Sequence, residues 1–440
     1  MEETEQIQCA LEELFEGRKH LFITGRAGTG KSTLLSHYRK NTQDQVIVVA
    51  PTGVAALNIE ASTIHSVFRF SPNITLDEVA VGAHKHPAKK IFKSMKSLVI
   101  DEISMVRADI LDCIDVFLRT IRGKQAPFGG VRLICFGDLY QLPPVVSSDE
   151  RHSFQSGYRT AYFFGSRVMQ EILENGNVNF KMIELTKIFR QSESEFIDIL
   201  NQIRENKVSS QQLMKLNTRV GHIAPVEAIV LTGRRDQAKL LNDLHINSLP
   251  GSVKAYYGKA IGKFESNKFP TEDVLVLKIG ARVMMVANDK DKRWVNGSLG
   301  TITKVAEAGV DVKLDNGISV VVTTYSWEMS VMKWNELTEN LERVVVGEYR
   351  QLPLTVAAAV TIHKSQGKTF EQMVIDLEGG AFAHGQTYVA LSRCKTLDGL
   401  FLKKPITPRD IMVDKSIESF LKAIDSESLG TSFTQESWDI

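Results

Sequence analysis

Short apolar runs alternate with segments of helical periodicity through roughly the first 190 residues of the chain. The apolar runs predict strands, and the periodic segments predict helices such as Ala108 to Thr120. Strands that alternate with helices are typical of βαβ units and of a mainly parallel sheet. The predicted strands of this first set are Leu21 to Thr24, Val46 to Ala50, Leu98 to Asp101 and Val131 to Phe136.

The later half of the chain repeats the same alternation, which predicts a second α/β domain. Its predicted helices run from Arg235 to Leu249 and around Gln386 to Arg393. Its predicted strands are Ala228 to Leu231, Ala358 to Ile362, Met373 to Leu377 and Gly399 to Leu402.

A different texture interrupts this second domain. The stretch VNGSLGTITKVAEAGVDVKLDNGISVVVTTYSW is rich in β-branched residues and short turns. Asn316-Gly317 lies between two apolar strands, and this dipeptide supplies the positive φ angles that a tight hairpin turn requires. The pattern therefore predicts a small antiparallel β module inserted in the second domain.

Composition places the chain among folded proteins that do not cross a membrane. Its 440 residues are enough for two or three domains, because single cores stop growing at about 250–300 residues. Hydrophobic residues make up 43% of it, and no apolar run approaches the ~20 residues of a membrane span. The acidic, amphipathic N-terminus is unlike a secretory or transit segment. The four cysteines show no CxxC or metal-ligand spacing, so we expect reduced thiols and neither disulfides nor zinc.

Net charge alone does not indicate nucleic acid, because it is only +1. Locally, His84 to Lys96 (HKHPAKKIFKSMK) holds five lysines and no acid. Such a run is either a solvated helix face or a binding patch, and both interpretations stay open. The segment after Lys422 is polar, and we expect it to be disordered.

The first chemical signal is the stretch FITGRAGTGKSTLL from Phe22 to Leu35. An apolar strand leads into Gly25, four residues, Gly30, Lys31 and Ser32, and a helix follows, which is the context of a phosphate loop. Glycines let backbone N–H groups point at one anion, and the helix N-terminus adds positive dipole. We expect Lys31 to reach the β and γ phosphates of a nucleotide and Ser32 to ligate Mg²⁺.

The next two predicted strands end in residues suited to hydrolysis. SLVIDEIS places Asp101 and Glu102 at a strand end, where an acidic Mg²⁺ residue should emerge beside a phosphate loop. Asp101 is the candidate Mg²⁺ contact, and Glu102 can act as base or orient water. ICFGDLYQLPPV presents Gln141 after the following strand. Gln141 is either a contact to the γ phosphate or the attacking water, or an exposed loop glutamine.

Eight motifs, in this order, resemble those of superfamily 1 helicases, and most closely the petite-integration-frequency helicase family, which is related to RecD. The match spans residues 8 to 402, and the segment ILDCIDVFLRTIRGKQAPFGGVRLICFGD is similar to that family's own signature. The motifs are the Gly25–Thr33 loop, VVAPTGVAALNI (Val48–Ile59), STIHSVF (Ser62–Phe68), VIDEISM (Val99–Met105), GDLYQLPPV (Gly137–Val145), ELTKIFRQ (Glu184–Gln191), VTIHKSQGKTFEQMVIDL (Val360–Leu377) and TYVALSRCKTLDGL (Thr387–Leu400).

The resemblance implies an α/β fold of two RecA-like parallel-sheet domains in tandem, with a small wedge insertion in the first and an SH3-like β insertion in the second. The implied boundaries are 1–182 for the first domain (wedge about 68–96), 183–295 and 351–422 for the two parts of the second, 296–350 for the SH3-like insertion, and 423–440 for the polar tail.

For the nucleotide, the resemblance implies an adenine contact from Gln8 and two arginines, Arg190 and Arg393, that the second domain extends to the γ phosphate. An arginine of this kind neutralises charge in the transition state. Gly367 would let backbone approach a phosphate. The expected catalytic residues are Lys31, Asp101, Glu102, Gln141, Arg190 and Arg393; the expected nucleotide and metal contacts are Gln8, Gly25, Ala27, Gly28, Thr29, Gly30, Lys31, Ser32, Thr33 and Gly367, with Ser32 and Asp101 on Mg²⁺.

For DNA, the resemblance implies small polar groups that hold a single-stranded backbone, with an aromatic ring available for stacking. It also implies binding at junctions of single and double strands, with the lysine run beside the duplex. The expected residues are Pro51, Thr52, Gly53, His65 and Phe68 in the first domain and His363, Lys364 and Ser365 in the second.

The implied activity is an ATP-dependent DNA helicase moving 5′ to 3′, with roles in DNA repair, recombination or telomere maintenance. The absence of long terminal extensions favours a bacterial or phage-type minimal core. Because no targeting segment is recognised, we expect the protein to be cytoplasmic, and we expect it to be monomeric in isolation. Lys368 and Lys395 lie where the family varies. Two other classes stay open: a phosphotransferase, which also carries a phosphate loop, and a DNA-stimulated ATPase switch or translocase that does not unwind.

Overall fold

The computed structural model describes residues 4–59, 61–71, 74–147, 149–174, 179–191, 193–264, 269–335 and 340–428. Contacts between residues divide it into two units. Unit 1 comprises the described residues of Met1–Leu213, Ala381–Ser392 and Thr407–Ile440, and unit 2 those of Met214–Gly380 and Arg393–Ile406. This division differs from the boundary expected at residue 182, because residues 183–213 and 381–392 make their contacts in unit 1.

The strands are numbered in chain order. Those up to residue 185 are β1 (His20–Gly25), β2 (Val46–Ala50), β3 (Ser62–Thr63), β4 (Ser97–Ile100), β5 (Arg132–Phe136) and β6 (Phe180–Leu185). Those of unit 2 are β7 (Ile229–Thr232), β8 (Lys254–Tyr257), β9 (Lys259–Gly262), β10 (Val274–Leu277), β11 (Arg282–Met285), β12 (Leu299–Val305), β13 (Gly309–Leu314), β14 (Ser319–Thr323), β15 (Tyr325–Asn335), β16 (Asn340–Gln351), β17 (Leu354–Val356), β18 (Ala359–Thr361), β19 (Met373–Asp376) and β20 (Leu400–Leu402).

The α-helices are numbered in the same way. They are α1 (Glu5–Glu16), α2 (Lys31–Asn41), α3 (Gly53–Asn58), α4 (Ile64–Phe68), α5 (Leu76–Ala83), α6 (Lys89–Ser94), α7 (Ala108–Arg122), α8 (Arg151–Gly157), α9 (Arg167–Glu174), α10 (Ser194–Arg204), α11 (Ser210–Asn217), α12 (Arg235–Ser248), α13 (Gln386–Leu391) and α14 (Lys415–Ser428). Among the described residues, none of these helices is long and apolar enough to cross a membrane.

Unit 1 is built on a parallel sheet in the order β3-β2-β4-β5-β1-β6. Its central strands β4, β5 and β1 are buried almost throughout and mostly apolar, as is typical of a parallel sheet that helices cover on both faces. All six residues of β1 are buried, and Ile7, Ala10 and Leu14 of α1 pack in the same core. The parallel arrangement brings the ends of β1, β4 and β5 to one edge, which is where the predicted chemistry lies.

Unit 2 has a second parallel sheet, in the order β18-β7-β19-β20. Two parallel sheets with helices confirm the predicted α/β class. The inserted module is an antiparallel sheet in the order β14-β13-β12-β11-β17, accompanied by a separate three-stranded antiparallel sheet in the order β15-β16-β9. Its β13–β14 hairpin turns at Asn316-Gly317, and Gly317 takes φ +86°, as the dipeptide predicts.

The C-terminal helix of unit 1 completes its core. Phe420 of α14 is fully buried and stacks on Phe164 with ring centroids 4.3 Å apart. Because α14 continues to Ser428, the expectation of disorder after Lys422 is wrong for residues 423–428. The remainder of that expected tail, residues 429–440, lies outside the described residues.

Candidate nucleotide site in unit 1

The phosphate loop joins β1 to α2 as predicted. Gly28 and Gly30 take φ +83° and +88°, which residues with a side chain rarely adopt. Lys31 Nζ donates to the carbonyl oxygens of Gly25 (2.5 Å) and Arg26 (2.9 Å). Ser32 and Thr33 follow in the exposed first turn of α2. Burial lowers the pKa of Lys31, although the carboxylates of Asp138, Glu102 and Asp101 oppose this shift.

The loop is packed against the segment that carries Arg190. Phe189 N–H donates to the Gly28 carbonyl at 2.9 Å, and a Cβ on Gly28 would lie 2.5 Å from Arg190 Cβ. Glycine is therefore needed at position 28 for both its conformation and this close approach. Arg190, expected on the second domain, makes these contacts within unit 1.

Asp101 and Glu102 follow β4 at the same edge of the sheet. Asp101 is buried, and burial together with the Glu102 carboxylate raises its pKa to about 7. Glu102 has φ +51°, an uncommon backbone conformation for a glutamate. Strained residues of this kind cluster at functional sites. A buried carboxylate with a raised pKa ionises more readily when a cation lies beside it. The oxygen atoms of Asp101 and of the Ser32 hydroxyl are therefore suitable ligands for Mg²⁺.

Gln141 is buried, so the exposed-loop interpretation is wrong. Its Nε2 donates to Asp138 Oδ2 at 3.3 Å, and its backbone N–H donates to the Asp138 carbonyl at 3.0 Å. The Asp138 carboxylate also accepts two hydrogen bonds from Arg204, at 3.2 and 3.0 Å. Sequence reasoning missed Arg204 because it ends an ordinary amphipathic helix, α10.

Two further groups near the phosphate loop were also missed. The Tyr388 hydroxyl of α13 accepts the Ala27 N–H at 3.0 Å. The Ser392 carbonyl accepts from Arg190 Nη1 at 3.3 Å and from Gln191 Nε2 at 3.0 Å. The signal for Tyr388 and Ser392 in the sequence is their position inside the TYVALSR motif.

The remaining expected nucleotide residues are placed as follows. Gln8 lies on the exposed face of α1, in unit 1. Arg393 belongs to unit 2 and is 1% exposed, and its carbonyl accepts the Phe370 N–H at 2.9 Å. Gly367, also in unit 2, has φ +78° and is exposed.

Four of the expected DNA residues of unit 1 lie near the surface. Pro51 and Thr52 are half-buried and Gly53 is exposed, after β2. The Thr52 hydroxyl accepts the Ala55 N–H at 3.2 Å, which leaves its O–H able to donate. His65 is half-buried on α4, and burial followed by the charge of Arg107 lowers its pKa.

Phe68 requires a correction. Its ring is 2% exposed and packs with Phe70, Phe92 and Phe117, with centroids 5.1–5.4 Å apart. A ring held in this aromatic cluster is not available to stack on a base. The lysines between His84 and Lys96 are all exposed, which fits both a solvated helix face and a binding patch. Residues 72 and 73 of the expected wedge lie outside the described residues.

Ser365 in unit 2 requires a second correction. It is fully buried, and its hydroxyl donates to the Ile362 carbonyl at 2.7 Å, so its side chain cannot contact DNA. His363 is half-buried and Lys364 is exposed, so the side chains of both residues are accessible to DNA. Burial and the charge of Arg235 lower the pKa of His363.

With this geometry established, comparison with known proteins decides the family. The family model described as PIF1-like helicase matches residues 3–213. The ATP-dependent DNA helicase Pif1 of Bdellovibrio bacteriovorus is 30% identical over 429 residues, which cover 94% of this chain and 91% of the relative. The chain belongs to the PIF1-like helicase family.

The fold of this PIF1-like protein agrees with that assignment. A crystal structure of Pif1 from Bacteroides sp in complex with ADP-AlF4 matches at a TM-score of 0.84 and 34% identity, covering 97% of this chain and 98% of that one. The predicted pair of RecA-like domains is thereby confirmed. The Rattus norvegicus helicase PIF1 is 32% identical over 90% of this chain, but the chain spans only 60% of its length.

Proposed function

We propose that this protein is an ATP-dependent DNA helicase that moves 5′ to 3′ on single-stranded DNA and unwinds duplex. The observation that carries the proposal is the grouping of a phosphate loop, two acidic residues and a buried glutamine at one sheet edge of a PIF1-like fold. The relatives' names as ATP-dependent DNA helicases support the reaction. The direction rests on the family resemblance.

In the proposed site, the ammonium of Lys31 exchanges its two carbonyl acceptors for phosphate oxygens of ATP. A phosphate is the stronger acceptor because the hydrogen bond is then charge-assisted on both sides. Backbone N–H groups of the loop and the N-terminus of α2 bind the same anion. This favours nucleotide binding in the cradle between β1 and α2.

Hydrolysis requires a placed water and neutralised charge. Glu102, held in a strained conformation beside Asp101, accepts a proton from the attacking water or orients it. Gln141 donates a hydrogen bond to that water or to the γ phosphate, and Arg190 supplies positive charge from beside Gly28. Ser32 and Asp101 would hold Mg²⁺, which neutralises phosphate charge when bound.

The DNA proposal assigns backbone contacts to Pro51, Thr52, Gly53 and His65 in unit 1 and to His363 and Lys364 in unit 2. Contacts of small polar and basic groups to phosphates carry no sequence information. The proposed ligand, bound without regard to sequence, is single-stranded DNA and its junctions with duplex, and solved structures of Bacteroides Pif1 bound to ssDNA and of Pif1 at forked dsDNA support it. The family resemblance implies that ATP binding closes the two RecA-like domains, with Arg393 as the second arginine. This closure would advance the DNA strand.

The test is strand separation with ATP on two duplexes, one with a 5′ tail and one with a 3′ tail. We expect only the 5′-tailed duplex to open. Lys31→Ala should abolish opening, while Lys40→Ala, an exposed lysine on the same helix α2, should leave it unchanged. Opening of the 3′-tailed duplex would overturn the direction. DNA-stimulated hydrolysis without any opening would favour a translocase or switch.

A further inference from the structure

A buried ion pair lies directly behind the Gln141 loop in unit 1. Arg204, the last residue of α10, donates from Nε and Nη2 to Asp138 Oδ1 at 3.2 and 3.0 Å. Its side chain is 5% exposed and that of Asp138 is fully buried. Two charges removed from water are held together only when geometry and the remaining hydrogen bonds are good. The pair therefore fixes the position of the Asp138 carboxylate.

The Asp138 carboxylate passes this constraint to the loop. Its Oδ2 accepts from Gln141 Nε2 at 3.3 Å, and its Oδ1 accepts the Tyr140 N–H at 3.2 Å. The Arg204 guanidinium lies 4.3 Å from the centre of the Tyr140 ring, a cation–π distance. Both the loop backbone and the Gln141 amide thus depend on where Arg204 holds Asp138.

The far side of the loop leaves it little room to move. A Cβ on Gly385, which precedes α13, would lie 2.3 Å from the Tyr140 carbonyl oxygen and 2.4 Å from that of Gln141. The loop is therefore packed between α13 and the ion pair. Rigid support of this kind is what a group acting on a transition state needs.

We propose that Arg204 is a positioning residue for ATP hydrolysis, acting through Asp138 on the Gln141 side chain. The inference rests on the proposed function, since it assigns Arg204 to the hydrolysis that Gln141 serves. In this arrangement Asp138 accepts from the Gln141 amide, so it sets which way the remaining amide hydrogen and the carbonyl oxygen face. In this role Arg204 acts through its hydrogen bonds to Asp138 and not as a ligand of the nucleotide.

The test is a double-mutant cycle on the rate of ATP hydrolysis with single-stranded DNA. Arg204→Lys keeps the charge but loses the forked donor and the ring contact. We expect it to lower kcat about tenfold and to leave the KM for ATP within about twofold, because only a transition-state contact is misplaced. In a Gln141→Ala background, Arg204→Lys should change kcat by less than about twofold, because the group it positions is gone.

The matched control is Arg282→Lys in the inserted β module. Arg282 also has a side chain 5% exposed and a carboxylate partner, Asp315, at 2.7 Å. We expect this variant to hydrolyse ATP at the wild-type rate, although it loses the hydrogen bonds of an equally buried arginine to a carboxylate, here one that is 46% exposed. If Arg204→Lys does not fold, Tyr140→Leu removes the ring under the guanidinium, and the same cycle applies with a smaller first step.

The outcomes separate the two proposals. Losses from Arg204→Lys and Gln141→Ala that multiply, or a raised KM at unchanged kcat, overturn the positioning role while the proposed function stands. A wild-type protein that does not hydrolyse ATP in the presence of DNA overturns both.

Discussion

Gly28 combines two demands on one residue of the phosphate loop. Its φ of +83° disfavours a side chain, and Arg190 occupies the space where one would go. A side chain at position 28 would raise the free energy of the folded state for either reason. The close approach also packs the loop directly against the segment that carries Arg190.

We predict that Gly28→Ala impairs both folding and hydrolysis. The new methyl group must displace Arg190, so unfolding free energy should fall by about 2 kcal/mol and ATP turnover should be lost. Gly251→Ala is the matched control, because Gly251 has φ +84° with nothing within 4 Å. Urea unfolding and ATPase assays of both variants measure this. Equal losses in the two variants would show that contact with Arg190 is unimportant.

Two buried histidines of unit 1 are expected to make its stability depend on pH. Burial, aided by Arg132, lowers the pKa of His20 to about 4, and burial, aided by Arg69, lowers that of His86 to about 4. In the unfolded chain both titrate near 6.5. The unfolded state therefore binds more protons between pH 6.5 and pH 4, so stability is complete above pH 6.5 and falls as pH drops toward 4.

We predict that each of these histidines contributes about 2 kcal/mol of the stability lost between pH 7 and pH 5. Urea midpoints across that range measure the slope. His86→Phe keeps a ring packed against Phe92 and Phe117. It should remove about half of the part of the pH dependence of stability that the two histidines cause. An unchanged slope in this variant would contradict the assignment.

At the scale of elements, α7 holds α9 through one carboxylate. Asp112 accepts the N–H groups of Arg167 and Val168, at 3.1 and 3.0 Å, and the Tyr158 hydroxyl at 2.9 Å. These are first-turn N–H groups of α9, which no intrahelical carbonyl can satisfy. Asp112 therefore caps a helix 55 residues further along the chain.

We predict that Asp112→Ala destabilises the protein by about 3 kcal/mol, because it leaves buried donors without an acceptor. Asp112→Asn retains a carbonyl oxygen and should cost less. Asp198→Ala, which removes an exposed acceptor of Gln212, should be nearly neutral. Thermal and urea unfolding provide the comparison, and a neutral Asp112→Ala would refute the capping role.

The phosphate loop, the acidic strand end and the Asn-Gly hairpin were predictable because each depends on local chemistry. Glycine spacing and apolar runs determine them within a few residues. The burial of Phe68 and Ser365, and the pairing of Arg204 with Asp138 across 66 residues, depend on tertiary packing. No pattern in the neighbouring sequence distinguishes Arg204 from a solvent-exposed helix end.

At the scale of the whole molecule, we predict that the two units contribute different steps. Arg393→Ala, in unit 2, should still bind ADP but hydrolyse ATP at least about 10³-fold more slowly, as expected for an arginine that stabilises the transition state. Lys395→Ala, an exposed neighbour paired with Glu371, is the control. Nucleotide binding and single-turnover hydrolysis measure the two steps. Normal hydrolysis by Arg393→Ala would remove Arg393 from the proposed site.

The burial of Phe420 against Phe164 has a consequence for how the protein is made. On the ribosome, the phosphate-loop segment of unit 1 emerges first, yet its core lacks α14, with Phe420, until more than 200 residues after Leu213 have been translated. At ≈ 5–20 residues per second, this delay exposes the aromatic surface around Phe164 for about ten to forty seconds. The nascent chain is therefore a natural client for chaperones during that interval.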